Sequence, residues 1–82
     1  MTKDRMDILF AAAQGRRAEV LNYQINIDNF RLAIQKIEAE HADKPEMLEF
    51  ADHLRGLLSS SLTEQLKERI ILEVIEQQLE GQ

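Results

Sequence analysis

Apolar residues recur along the first half of the chain at alternating intervals of three and four. Met6, Leu9, Ala13, Val20, Tyr23, Ile27, Phe30, Ile34 and Ile37 keep this spacing, with Arg16 as the one polar residue in register. That is the a/d pattern of a helix burying one seam. It predicts a helix from near Lys3 that ends by Asp43, with Asp4 and Asp7 favouring its N-terminus and Ala11 to Ala13 supporting it. Gly15 costs about 1 kcal/mol relative to Ala in a helix interior. Beside it, Arg16 would be expensive to bury without a partner. The helix is therefore expected either to run continuously or to break near Gln14 to Arg16.

Beyond Arg17 a second apolar row of Leu21, Ile25 and Leu32 lies on the side away from the seam. A helix with two apolar sides calls for neighbours on both. Tyr23, Ile25 and Ile27 also alternate with polar residues in the period of a strand. The seam nevertheless continues unslipped to Ile37, and no other segment alternates to pair with a strand, so helix is the better reading. Gln24 and Asp28, and Asp28 with Arg31, are spaced for local pairs on a solvated strip.

Asp43-Lys44-Pro45-Glu46 combines a capping-box spacing with Pro in the first turn and opens a second helix. Met47, Phe50, Ala51, Leu54, Leu57 and Leu58 form its apolar stripe; Leu48 falls outside. Ser59 to Ser61 read as a connection. Ser61 with Glu64 repeats the capping spacing and opens a third helix that reaches about Glu80 and closes at Gly81. Leu62, Leu66, Ile70, Ile71, Val74, Ile75 and Leu79 cover more than half of that helix, with Leu72 at the far edge.

With 82 residues the chain suits one helical domain spanning 1–82, burying only about 60 to 65 per cent of its unfolded surface. It has no Cys to staple so small a core. The start is polar and no run of eighteen apolar residues occurs, so neither a signal peptide nor a membrane span is expected and a cytoplasmic location is the default. The formal charge of −5 disfavours general attraction to phosphate, although Lys3, Arg5, Arg16 and Arg17 make the first part mildly basic.

Chemistry-bearing patterns are few. His41 and His53 do not stand at i, i+4 and no Cys joins them, so no metal site is expected. Gly15, Gly56 and Gly81 are isolated and form no phosphate loop. The carboxylates lie among Lys and Arg on polar faces, unlike a desolvated acid/base pair. No catalytic residue and no cofactor are expected, and the chain does not read as an enzyme.

Asn22-Tyr23-Gln24-Ile25-Asn26-Ile27-Asp28-Asn29, with Glu73-Val74-Ile75-Glu76-Gln77-Gln78-Leu79, resembles short helical proteins of enterobacterial prophages that lack an assigned function. The resemblance spans about two thirds of the chain, contains no catalytic motif and implies a phage accessory role. The pattern as a whole predicts an all-α bundle of three principal helices with a long first helix. Such a helix would reach roughly 54 Å against about 24 Å for the second, so the later helices would leave part of it uncovered. A homodimer pairing the first helices would cover the remainder, with Val20, Tyr23, Ile27, Phe30, Ile34 and Ile37 as the candidate interface. The expected function is protein–protein interaction, as a phage-encoded modulator of a host protein; the alternative is a nucleic-acid-binding regulator using the basic N-terminal part.

Overall fold

Pro45 fixes the geometry of the break between the two helical stretches of the described residues. The backbone amide of His41 still donates to the Ile37 carbonyl (2.8 Å), after which Lys44 turns back onto the His41 carbonyl (3.1 Å). Lys44 is extended (φ −108°, ψ 112°) and Pro45 occupies the first helical position, where its missing N–H costs nothing. Lys44, not Asp43, is the N-cap, and no side chain caps this end; the Lys44 carbonyl accepts from Met47 at 3.0 Å.

In the computed structural model, which describes residues 2–81 with side chains from Asp4 onward, this turn joins two long antiparallel helices. α1 spans Thr2–Glu40 and α2 spans Pro45–Glu80. They form a rod of 63 × 14 × 14 Å. The fold is all-helical, with two helices where the sequence predicts three. Ser59, Ser60 and Ser61 lie inside α2, and no separate third helix begins at Ser61. Serine in a helix is only some tenths of a kcal/mol worse than alanine, a preference that tertiary packing overrides. Here the Thr63 hydroxyl donates to the Ser59 carbonyl (3.1 Å), and the 36 residues of α2 match the 39 of α1. A single long α2 thus covers what two short helices would leave bare.

α1 is continuous through Gly15, which is exposed. Ala13, Ile27, Ile34 and Ile37 are buried along it, and Ile34 and Ile37 cluster with Ala51 and Leu54 of α2. Phe30, Ala33, Met47 and Leu58 pack against this cluster. The densest apolar packing therefore lies in the half nearest the turn. α2 closes at Gly81, whose amide donates to the Gln77 carbonyl (3.0 Å) and whose right-handed φ of −75° makes no use of glycine's freedom.

Candidate functional site

The inward positions of both helices obey one heptad register. On α1 they run Leu9, Ala13, Arg16, Val20, Tyr23, Ile27, Phe30, Ile34, Ile37 and end at half-buried His41. On α2 the alternation of four and three that starts at Met47, Ala51, Leu54 and Leu58 continues unbroken to Ser61, Gln65, Glu68, Leu72, Ile75 and Leu79. This places polar residues in the middle of the α2 seam and turns Leu72, expected at the far edge, towards α1. The stronger local apolar row, Leu62, Leu66, Ile70 and Val74, is left exposed together with Ile71.

The polar positions answer one another. Arg16 donates from one guanidinium nitrogen to both oxygens of Glu68 (2.9 and 2.7 Å), and Gln65, buried, donates to the Val20 carbonyl (3.1 Å) and to Gln24 Oε1 (2.9 Å). Gln24 in turn donates to Asp28 (3.0 Å). No buried side-chain nitrogen or oxygen among the described residues lacks a partner. Arg16 interrupts the apolar seam of α1 at the level where α2 supplies a carboxylate, so this layer fixes the vertical register of the hairpin, the best-attested role of polar groups in such seams.

The two edges flanking the seam differ. On one, where the heptad e positions meet, Arg17 pairs with Glu76 (3.0 Å) and, three heptads along, Arg55 pairs with Glu38 (2.8 Å). The equal step on both helices confirms that the register does not slip. On the opposite edge, where g positions meet, Arg5 donates to Gln78 (3.3 Å). Stepping by sevens from that contact brings Ala12 level with Ile71, Glu19 with Glu64, Asn26 with Leu57 and Ala33 with Phe50. Both edges carry exposed large apolar side chains, Phe10, Leu48 and Leu62 on the first and Phe50, Leu57 and Ile71 on the second, but the first is bridged by ion pairs across the hairpin, whereas the second sets Phe50 and Ile71 beside alanines of α1.

The candidate interface row faces α2 within the same chain. Ile27, Ile34 and Ile37 are buried there and Val20, Tyr23 and Phe30 half-buried. Surface open to a partner lies elsewhere, and the row of α1 pointing away from α2 is its clearest part: Leu21, Ile25 and Leu32 are 62, 50 and 61 per cent exposed. Of the four basic residues in the N-terminal part, Arg16 and Arg17 are held by Glu68 and Glu76 and Arg5 by Gln78; the Lys3 side chain lies outside the described residues. Neither a group of three metal-ligating side chains nor a cavity is found among the described residues. No described helix is long and apolar enough to cross a membrane. Comparison with protein-family models, curated proteins and solved structures gives no match.

Proposed function

We propose that this hairpin is a non-enzymatic protein–protein interaction module, a phage-encoded modulator that engages a host protein in the cytoplasm and pairs with a second copy of itself. The observation that carries this reading is the outer row of α1. Ala18, Leu21, Ile25 and Leu32 stand at i, i+3, i+7 and i+14, the spacing by which one helix face seats in an apolar groove. Leu21, Ile25 and Leu32 are each half or more exposed, on the side of α1 opposite the seam that α2 covers. An apolar strip of this kind marks a site of interaction. The prophage resemblance supplies the host setting. The basic residues offer less to a polyanion, since Arg16 and Arg17 are neutralised by carboxylates of α2.

The test is affinity capture from an enterobacterial lysate after nuclease treatment, with the native chain and an Ile25→Asp variant side by side. We expect one discrete protein to be retained by the native chain and lost by the variant, whose circular dichroism stays helical because Ile25 is outside the core. Retention of nothing after nuclease, or equal retention by both chains, overturns the reading.

A further inference from the structure

We propose that a second copy of this chain docks along the Phe50–Leu57–Ile71 edge, around a two-fold axis parallel to the rod, to give a four-helix bundle with both turns at the same end. This deepens the self-association proposed above by naming its surface and geometry.

Surface area is the first argument. A folded chain of 9.5 kDa ordinarily exposes about 5,050 Å², whereas this one exposes 5980 Å². The excess of roughly 900 Å² is the size that one partner contributes to a standard interface, about 800 Å². The hairpin thus leaves uncovered about as much surface as one stable contact requires.

The edges decide where that contact lies. Helices that build a bundle core are apolar at a, d and one flanking position, e or g. Along the e edge Arg17 with Glu76 and Arg55 with Glu38 are already paired across the hairpin, and the exposed Phe10, Leu48 and Leu62 on that edge have no apolar residue level with them, Leu62 standing level with Arg31. Along the g edge α2 presents Phe50, Leu57 and Ile71, exposed by 48, 39 and 39 per cent, while α1 presents Ala12 and Ala33 at the levels of Ile71 and Phe50. Large side chains on one helix facing small ones on the other make a self-complementary surface. Of the two acidic levels, Glu19 beside Glu64 is relieved by Lys67, which holds Glu64 at 3.0 Å, and Glu40 beside Asp43 at the turn is relieved by Lys36, which holds Glu40 at 3.2 Å.

Charge decides the direction of the axis. α1 carries six basic and six acidic residues; α2 carries three basic and eight acidic ones. An axis perpendicular to the rod that sets α2 against α2 opposes two helices of net charge −5 each. An axis parallel to the rod sets each neutral α1 against the acidic α2 of the other copy and avoids that repulsion. It also preserves height along the rod, so Phe50 meets Ala33 of the second copy and Ile71 meets its Ala12 without any change of level. Every neighbouring pair of helices is then antiparallel.

The chain has no cysteine, so an Ala42→Cys variant places one spin label at the exposed turn. Light scattering on that chain gives the mass, and pulsed electron resonance gives the distance between labels. With helices packed about 8–10 Å apart, parallel hairpins hold the two labels within about 30 Å. A dimer whose labels lie near the full 63 Å length of the rod overturns the axis but leaves self-association standing. A monomer at all concentrations overturns both. Adding Ile71→Asn or Leu57→Asn should shift the dimer to monomer with helicity retained, while Ile25→Asp should leave the mass doubled. Dissociation by Ile25→Asp alone would move the contact to the outer row of α1 and overturn the edge.

Discussion

Replacing Gly15 and Gly56 by alanine separates a continuous helix from a broken one by the sign of its effect. Both glycines lie inside helices, Gly15 in α1 and Gly56 in α2, both exposed, and a Cβ built at either meets no atom within 4 Å. Neither has positive φ. Each substitution therefore keeps its helix, adds no clash and removes unfolded-chain entropy, a gain of about 1 kcal/mol. The two sites share no partner and lie well apart along the rod, so the gains add to about 2 kcal/mol. For a chain of this size a gain of 1 kcal/mol raises Tm by roughly 4–8 °C, and the pair should raise it by about 8–16 °C in thermal melts followed at 222 nm. Alanine at a kink that needed glycine would instead lower Tm. A fall on Gly15→Ala, with a rise on Gly56→Ala, would refute a continuous α1 while leaving α2 intact.

Ile27→Asp should cost several kcal/mol, because Ile27 is completely buried and an unpaired carboxylate there has no partner; denaturant titration checks this, and a loss under 1 kcal/mol would contradict the seam. A double-mutant cycle of Arg16→Met and Glu68→Met should return a coupling no larger than about 1 kcal/mol, since the Arg16 side chain is 39 per cent exposed and screened by solvent. Chelator treatment should leave Tm unchanged, given that the described residues bring no three metal-ligating groups together.

How legible this fold was depends on which helix is considered. On α1 the seam residues are the bulkiest apolar ones at their spacing, so pattern and burial coincide from Leu9 to Ile37, and even Arg16 stands out as the position that needs a partner. On α2 the two disagree. Leu62, Leu66, Ile70 and Val74 form the most apolar row of the C-terminal half, and taken alone that half turns them inward. The inward face is decided instead by Met47, Ala51, Leu54 and Leu58, whose register passes rigidly through the three serines and brings Ser61, Gln65 and Glu68 to α1. Ser61 and Glu64 carry a capping signature, yet a signature only offers a helix start; the 39-residue partner alongside makes continuing the helix the better bargain. The exposed outer row of α1 was visible from spacing alone. The edge carrying Phe50, Leu57 and Ile71 was not, because its identity depends on which residues of α2 face α1.

A hairpin with a single turn closes like a zipper, and the separation along the chain of its cross-rod contacts grows steadily from the turn. Arg55 and Glu38 are 17 residues apart, Arg16 and Glu68 are 52, and Arg5 and Gln78 are 73. Closing the outermost pair directly costs about 1.3 kcal/mol more loop entropy than closing the innermost. The apolar cluster lies at the inexpensive end, so pairing starts at Pro45 and travels outward, each new turn inheriting a loop already shortened by the one before it. Opening runs the other way. Amides near Asp7 and Ile75 should exchange with solvent through fraying that never reaches Ile34 and Leu54, giving protection that rises along the rod towards the turn.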